Sequence, residues 1–350
     1  MKLVSFINQE NKTRFGCIYD NQIIDMQNSG KSFGYELCTD IMEYLNDEHE
    51  YEKVHAFWDN ISSKETSEVW AKIKAENIKQ LLSPVPKPTS CRDGYAFQQH
   101  VEAARRNRGV DMIPEFYQYP IFYFTNHQAV FGEGEIVIEK DHLLKLDFEL
   151  EWAVVIGKRG KNIRAEVADE YIAGFTIMND WSARTLQMEE MLLNLGPAKG
   201  KDFATTLGRY LATPDELFDN IVDDETGVLS SKIKGNMYDL EMKAFHNGKQ
   251  VSFGNTKDMT FSFAEIIERV SYGVEIFPGD VIGSGTVGTG CYLELNGTWA
   301  REAKEKGQEF TPIWVNDGDE FTLEIDGLGK LSNTIKLNEN SESLLAKKKM

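Results

Sequence analysis

The fold of this chain is decided by the stretch LDFELEW, residues 146–152. As a β-strand it alternates, so that Asp147, Glu149 and Glu151 share one face while the apolar residues share the other. Carboxylates side by side repel one another and are poor strand formers, and a divalent cation is a common way to offset that repulsion. A solvated edge strand is the alternative. The apolar run AVVI, residues 153–156, predicts that the strand enters a core, which favours the cation.

Composition limits the classes of partner and compartment. The chain has 350 residues, 41% of them hydrophobic, and a net charge of −18. This length predicts two domains or one large domain with an appendage, and the acidity argues against nucleic acid or a membrane surface as partner. An N-terminus without an apolar leader segment and four widely spaced cysteines predict a cytoplasmic protein with reduced thiols. These cysteines are Cys17, Cys38, Cys91 and Cys291.

The pattern of apolar residues and turns predicts an α+β, β-rich protein. Residues 1–85 have the short strands and charged helices of a small α/β module, and the proline-rich segment 84–88 is typical of a linker. Residues 90–336 contain most of the predicted strands and all of the candidate chemistry. Residues 337–350 are polar and lysine-rich, which predicts a disordered tail.

Four isolated residues are candidates for acid–base or metal chemistry. Asp93 precedes His100 by seven residues, so the two share a face if the helix predicted from about residue 95 reaches back that far. Asp180 follows a predicted buried strand, where ligands are often held, and Glu294 lies in a predicted apolar strand over 291–295. Helix capping is the alternative for both aspartates, and a packed or solvated position is the alternative for His100.

Cationic and amide side chains follow in the same region. Arg184 and Gln187 are three residues apart on a predicted helix and therefore face the same way. Lys201 lies in a glycine-containing loop, which allows its backbone to approach a ligand closely. The basic run RRNR, residues 105–108, is suited either to a substrate carboxylate or to the C-terminus of its own helix.

Taken together, the motifs over residues 92–335 resemble those of the fumarylacetoacetate hydrolase family. The motifs that carry the resemblance are LDFELE at 146–151, MNDWSAR at 178–184, GKDF at 200–203, GT at 285–286 and LEL at 293–295. In fold, the resemblance implies a catalytic domain of curled mixed β-sheets with few helices, beside a small N-terminal domain. It also implies a homodimer.

The resemblance implies a role for each matching residue. The metal ligands would be Asp93, Glu149, Glu151 and Asp180, and the ion would be Mg²⁺, with Ca²⁺ or Mn²⁺ as alternatives. His100 would be the general base, oriented by Glu294. The groups that stabilise an oxyanion would be Arg184, Gln187 and Lys201, and the substrate contacts would be Tyr95 and Thr286.

The implied reaction is metal-dependent hydrolysis of a carbon–carbon bond in a small anionic 2-oxo acid of the acylpyruvate or fumarylacetoacetate type. Two other reactions on the same metal site remain open, namely decarboxylation of a 2-oxo acid and hydration of a 2-oxo-enoic acid. A calcium-binding structural protein is an alternative of another class. Residues 188–194 contain no aromatic substrate contact such as fumarylacetoacetase has there, so the side chain of the substrate is left open.

Overall fold

The computed structural model describes residues 1–222 and 233–343. The strands in this part of the chain are, in order, β1 Lys2–Ile7, β2 Thr13–Tyr19, β3 Gln22–Asp25, β4 Gln80–Leu81, β5 Cys91–Gly94, β6 Phe122–Thr125, β7 Val130–Phe131, β8 Gly134–Ile138, β9 Leu146–Asp147, β10 Leu150–Ile156, β11 Gly160–Lys161, β12 Ile172–Asp180, β13 Ser182–Ala183, β14 Thr205–Leu207, β15 Leu211–Ala212, β16 Glu241–His246, β17 Lys249–Asn255, β18 Glu275–Ile276, β19 Val281–Gly283, β20 Glu320–Ile325 and β21 Gly329–Leu337.

Helices are fewer and mostly short. The α-helices are α1 Met26–Ser32, α2 Ile41–Asn46, α3 Glu48–Ser62, α4 Thr66–Trp70, α5 Gln98–Asn107, α6 Ala165–Ala168, α7 Arg184–Met191, α8 Phe263–Ser271 and α9 Tyr292–Glu305. Short 3₁₀ helices lie at Pro114–Tyr117, Asp169–Tyr171, Pro214–Asn220 and Thr256–Asp258. Helix α8 begins with a capping box, because the Ser262 and Glu265 side chains each bond the other's backbone N–H.

Strand β10 is the centre of the largest sheet. All seven of its residues are buried, which confirms that the chain enters a core directly after the acids. It pairs antiparallel with β12 on one side and with β19 on the other, and β19 in turn pairs parallel with β5. The sheet order is β3-β2-β1-β15-β12-β10-β19-β5-β6. This arrangement brings the ends of β5, β10 and β12 together, and the candidate carboxylates lie on these three strands or next to them.

A second sheet, in the order β17-β16-β20-β21-β8, completes the β-rich core. Its strands β21 and β8 are parallel while the other pairs are antiparallel, so both large sheets are mixed. Trp152 of β10 stacks on Phe175 with ring centroids 5.3 Å apart and packs edge-on against Phe263. The predicted α+β class with mixed sheets is confirmed.

Residues 1–85 contribute strands to the same large sheet. Leu3 of β1 lies opposite Leu211 of β15, and both belong to an apolar cluster with Ala153 and Val155 of the central strand. The division of the chain at residues 85–90 remains a prediction. Leu337 ends strand β21, and residues 344–350 of the predicted tail lie outside the described residues.

Two local predictions are wrong. The stretch 146–152 is not one strand, because β9 ends at Asp147 and β10 begins at Leu150. Glu294 lies in helix α9 rather than in a strand. The reason is a contact that is distant in sequence. The Asp147 carboxylate accepts hydrogen bonds from the N–H groups of Tyr292 (2.7 Å) and Leu293 (2.9 Å), which satisfies the first turn of α9.

Asp93 neither shares a helix face with His100 nor caps a helix, which were the two sequence-based alternatives. It lies in strand β5, and helix α5 begins only at Gln98, so Asp93 and His100 do not share a helix face. Among residues 1–222 and 233–343, the structure has no helix long and apolar enough to cross a membrane.

A substitution in the first strand tests how far residues 1–85 fold with the rest. Leu3→Ala should lower the free energy of unfolding by about 2–5 kcal/mol, because it opens a cavity in a cluster shared with β10. Hydrogen exchange should then quicken in β10 and β12 as well as in β2. Val274→Ala, at a position that is 52% exposed, is the control and should change little. Faster exchange confined to residues 1–85 would indicate an independent module.

Candidate active site

Three buried carboxylates form the centre of the site. Asp93 of β5, Glu151 of β10 and Glu149, which lies in the break before β10, bring carboxylate oxygens within 4.8 Å of one another. Hydrogen bonds of the backbone fix two of these residues. The Glu149 N–H donates to Asn179 Oδ1 (2.9 Å), and Asp93 Oδ1 accepts from the Gly285 N–H (3.0 Å).

The electrostatics of this group disfavour full ionisation. Burial, followed by repulsion from Asp93 and Glu149, raises the pKa of Glu151 well above its ordinary range. Burial and the nearby Asp180 raise the pKa of Asp93 to about 7. Burial also opposes the ionisation of Glu149, but the cations Lys201 and Arg184 outweigh it and lower the pKa of Glu149 to about 2. Cations therefore stabilise the charge of Glu149, whereas burial and repulsion disfavour the charges of Asp93 and Glu151.

Asp180 lies next to the three carboxylates and is joined to them by a lysine. Lys201 Nζ donates to Asp180 Oδ2 at 2.9 Å and also bonds Glu149 Oε2. The hydroxyl of Tyr123, on β6, donates to the same oxygen of Asp180. Burial is the main factor that raises the pKa of Asp180, although Lys201 opposes it.

Arg184 holds two acidic segments together. Its Nε donates to Asp147 Oδ2, and its two terminal nitrogens donate to Glu149 Oε1 and Gln187 Oε1, each at 2.8 Å. The guanidinium therefore fixes the break in the acidic stretch. The bond from Arg184 to Gln187 turns the Gln187 side-chain carbonyl toward the guanidinium, and the Gln187 amide nitrogen is then available to a ligand.

A histidine and a glutamate from two helices meet beside the carboxylates. His100 Nδ1 lies 2.7 Å from Glu294 Oε2, and both side chains are buried. The other oxygen of Glu294 accepts from the Thr289 N–H at 2.9 Å, which fixes the carboxylate. This His–Glu pair leaves Nε2 of the imidazole as the nitrogen available for proton transfer.

One cavity of about 710 Å³ connects these groups. Its walls include Asp93, Tyr95, His100, Arg108, Glu149, Arg184, Gln187, Lys201, Thr286 and Glu294. The Tyr95 ring packs edge-on against the His100 imidazole, with centroids 5.8 Å apart. Thr286 Oγ1 donates to Glu151 Oε1 at 3.1 Å. The structure thus brings all eleven candidate residues into this cavity or into direct contact with its lining.

Other residues of the site were missed at the sequence level. Asp147 was expected to share a cation-binding face with Glu149 and Glu151, whereas it bonds Arg184 and the first turn of α9. Tyr123 and Asn179 were not singled out, and each bonds a residue of the acidic group. A tyrosine between two phenylalanines carries no local signal. Asn179 adjoins Asp180 in the motif at 178–184, and this position is the signal that could have identified it.

Glu190 anchors the loop that carries Lys201. Its carboxylate accepts hydrogen bonds from three consecutive backbone N–H groups, those of Ala198 (2.8 Å), Lys199 (2.7 Å) and Gly200 (3.1 Å). Gly200 packs so closely that an added Cβ would lie 2.6 Å from the backbone nitrogen of Gln187. The loop is therefore fixed to helix α7.

The family of the chain follows from its sequence as well as from this geometry. The family model for the fumarylacetoacetate (FAA) hydrolase C-terminal domain matches residues 89–336. The chain therefore belongs to the fumarylacetoacetate hydrolase family.

Similar proteins occur in bacteria and in eukaryotes. The chain is 27% identical over 341 residues to a fumarylacetoacetate hydrolase domain-containing protein 2 homolog of Dictyostelium discoideum, covering 96% of this chain and 97% of that protein. It is 31% identical over 261 residues to the oxaloacetate tautomerase YisK of Bacillus subtilis, covering 73% of each. It is 32% identical over 223 residues to the human mitochondrial oxaloacetate tautomerase FAHD2A, covering 62% of this chain and 59% of that one.

Solved structures share the fold. A putative HpcE protein from Mycobacterium smegmatis matches with a TM-score of 0.67 and 21% identity, covering 97% of this chain and 100% of that one. The fumarylacetoacetate hydrolase of Exiguobacterium antarcticum matches with a TM-score of 0.62 at 21% identity and the same coverage. The maleylpyruvate hydrolase of Sphingobium sp. SYK-6 matches with a TM-score of 0.64 at 17% identity and the same coverage.

Enzymes of this family depend on a divalent metal, and the residues present here fit one. Glu151 Oε2 and Asp180 Oδ1 are buried and have no hydrogen-bond partner in the described part of the chain, although a buried carboxylate oxygen normally has one. An all-oxygen donor set is the kind that Mg²⁺, Mn²⁺ and Ca²⁺ prefer. The identity of the ion remains a prediction.

The anchoring role of Glu190 is testable by hydrogen exchange. Glu190→Ala removes the acceptor of three backbone N–H groups, and a hydrogen bond to a charged group is worth about 1.5–3 kcal/mol. Exchange at Ala198, Lys199 and Gly200 should accelerate by roughly 10- to 100-fold. Glu170→Ala, at an exposed position, is the control. Unchanged exchange in the loop would show that Glu190 does not hold it.

Proposed function

We propose that this protein catalyses the keto–enol interconversion of a 2-oxo dicarboxylate of the oxaloacetate class. The observation that carries the proposal is that a fixed His–Glu pair and a buried carboxylate cluster open onto one cavity. Similarity to the oxaloacetate tautomerases of Bacillus subtilis and human supports the choice of reaction and substrate.

The reaction needs only proton transfer. A proton leaves the carbon next to the ketone and a proton is added to the ketone oxygen, or the reverse, and no carbon–carbon bond is broken. His100 is the proton carrier, because Glu294 fixes Nδ1 and leaves Nε2 free to accept and return the proton. Glu294 also stabilises the imidazolium while it carries the proton.

Asp93, Glu149, Glu151 and Asp180 are the proposed ligands of the divalent ion. When bound, the ion acts as a Lewis acid that polarises the 2-oxo group of the substrate and favours loss of the neighbouring proton. Asp180 belongs in this set because its Oδ2 shares the Lys201 ammonium with Glu149, and its buried Oδ1 has no hydrogen-bond partner among the described residues.

The cations have two different tasks. Lys201 and Arg184 are both bound to Glu149 and so balance the charge of the carboxylates. Because both also line the cavity, they stabilise the negative charge that develops on the substrate oxygen, and Gln187 adds an amide donor. Such donors each contribute roughly 2.7–4 kcal/mol where they have been removed from other enzymes.

The remaining lining residues are suited to the far end of the substrate. Tyr95 and Thr286 are the proposed substrate contacts, the first beside His100 and the second beside Glu151. Arg108 ends helix α5, is exposed and lines the cavity, so its guanidinium is available to the second carboxylate of a dicarboxylic acid.

Hydrolysis of a carbon–carbon bond in an acylpyruvate is the second candidate. It is favoured by the same His–Glu pair, which is suited to activating water. His100 would take a proton from water, the hydroxide would attack the carbonyl carbon, and the electrons of the broken bond would pass to the departing carbon, which is then protonated. Hydrolysis ranks second because the relative that is 31% identical and covers 73% of this chain is an oxaloacetate tautomerase.

Several sequence-level expectations stay predictions. They are the homodimer, the cytoplasmic location, the absence of nucleic-acid or membrane partners, and the alternatives of decarboxylation, hydration and a structural calcium site. Side-by-side assays of oxaloacetate tautomerisation, oxaloacetate decarboxylation, 2-oxo-dienoate hydration and acylpyruvate cleavage separate the enzymatic alternatives.

The metal assignment can be tested without an activity assay. Glu151→Gln keeps the shape of the side chain but removes an anionic oxygen that has no partner in the protein. Mn²⁺ affinity, measured by calorimetry, should fall at least about 100-fold, because even residues behind the ligands contribute 10- to 100-fold in known sites. Glu170→Gln is the control. Equal Mn²⁺ affinity in Glu151→Gln and wild type would remove Glu151 from the ligands.

The role of the His–Glu pair is tested by a pair of substitutions. His100→Ala should lower kcat for oxaloacetate tautomerisation by about 10²–10⁴-fold, the usual contribution of a positioned acid–base group. Glu294→Gln should lower kcat less, and in the double variant it should add little to His100→Ala, because the two act as a unit. His55→Asn, outside the cavity lining, is the control.

Two outcomes would contradict this assignment. Independent, multiplicative losses would show that His100 and Glu294 do not act together. Full tautomerase activity without His100 would place the proton carrier elsewhere. If acylpyruvate cleavage is faster than tautomerisation in the wild type and depends on His100, the second candidate replaces the first.

A further inference from the structure

A second group of metal-binding side chains lies beside the His–Glu pair. The imidazole of His100, the thiol of Cys291 and the carboxylate of Glu294 bring ligand atoms within 4.8 Å of one another, and all three are buried. The proposed reaction uses His100 and Glu294 but has no task for Cys291. The thiol makes this group chemically different from the all-oxygen cluster of Asp93, Glu149 and Glu151.

The start of helix α9 sets two of these three donors. Cys291 is the N-cap residue and Glu294 is the third residue of the helix, so their side chains lie on the same side of its first turn. Asp147 fixes that turn through its bonds to Tyr292 and Leu293. His100 is supplied by helix α5, which packs against α9. The three donors are therefore held by backbone that is already in place before any ion binds.

The donor set is typical of a different class of ion. Nitrogen, sulfur and oxygen ligands suit Zn²⁺, and zinc sites with three protein ligands keep a fourth position for water or another small ligand. Thiolate is a soft ligand that discriminates against Mg²⁺ and Ca²⁺. Because His100 and Glu294 line the cavity while Cys291 lies behind them, the fourth position would face the cavity, which also gives the ion a path to the site.

The thiol restricts which ions can bind. Cys291 is fully buried, and a coordinated thiol is deprotonated, so only an ion with strong affinity for thiolate binds there. Zn²⁺ and its spectroscopic substitute Co²⁺ are ions of this kind.

We propose that His100, Cys291 and Glu294 form a second metal site, selective for thiophilic divalent ions such as Zn²⁺, whose occupation inhibits the enzyme. Inhibition follows because the ion binds the imidazole that would otherwise transfer a proton and the carboxylate that fixes it. The site itself does not depend on which reaction the protein catalyses. Only the inhibition rests on the proposed function.

The first experiment detects the site directly. The full chain is saturated with Mg²⁺ to fill the carboxylate cluster, Co²⁺ is added, and the near-ultraviolet band of cobalt–thiolate charge transfer is recorded. The band should appear with one Co²⁺ per chain in the wild type and in Cys38→Ser, and it should be absent in Cys291→Ser. Cys38 is the matched control because it is buried in residues 1–85, away from the cavity.

Two results of this experiment would overturn the site. They are the absence of the band in wild-type protein and its persistence in Cys291→Ser. If Cys291→Ser does not fold, as judged by circular dichroism and thermal melting, Cys291→Ala is measured in its place. Because no substrate is present, failure of the tautomerase proposal does not affect this result.

The second experiment measures inhibition. The Zn²⁺ concentration that halves the rate is determined for each variant relative to its own zinc-free rate, at saturating Mg²⁺. It should be at least about 100-fold higher in Cys291→Ser than in Cys38→Ser, because a direct ligand is lost. Equal sensitivity of the two variants would show that Zn²⁺ acts by replacing Mg²⁺ at the carboxylates, and would overturn the inhibitory role.

Discussion

The structure depends on the burial of five carboxylates beside two cations, counted among residues 1–222 and 233–343. Asp93, Asp147, Glu149, Glu151 and Asp180 are all buried, and the cations that contact members of this group are Arg184 and Lys201. Removing a charge from water costs several kcal/mol even after relaxation, so such an excess is stable only with further positive charge or bound protons. The distribution is uneven. Glu149 contacts both cations and has a lowered pKa, whereas burial raises the pKa values of Asp93 and Glu151. The fold thus keeps a deficit of positive charge at one defined place, where a divalent ion fits.

The central buried strand and much of the candidate site could be predicted from the sequence. The apolar run after Glu151 correctly predicted a central buried strand, and Asp180 does lie at the junction between a strand and the segment that leads to α7. The motifs also brought together residues as distant as Asp93 and Glu294. Such residues cannot be related by periodicity, because each lies on a different element and only the order of motifs links them.

The errors have one physical origin, which is contact between segments far apart in the chain. The residues over 291–295 have the apolar character of a strand, but the Asp147 carboxylate supplies the hydrogen bonds that start a helix there. The same carboxylate bonds Arg184, and strand β9 ends at that point. Local preference is weak where a buried charge decides the backbone. Tyr123 escaped notice for a related reason, since its partner Asp180 is 57 residues away.

Helix α7 and the loop after it separate two properties of the enzyme. Arg184 at the start of the helix and Glu190 near its end hold, respectively, the acidic break and the backbone that leads to Lys201. Between Glu190 and the loop that it holds, the chain passes through Leu192, Leu193 and Leu195, which are 79%, 81% and 95% exposed. Met191 and Pro197, on either side of these leucines, line the cavity, whereas its charged groups come from other segments. Changes in this stretch can therefore alter the cavity wall without rebuilding the ion site.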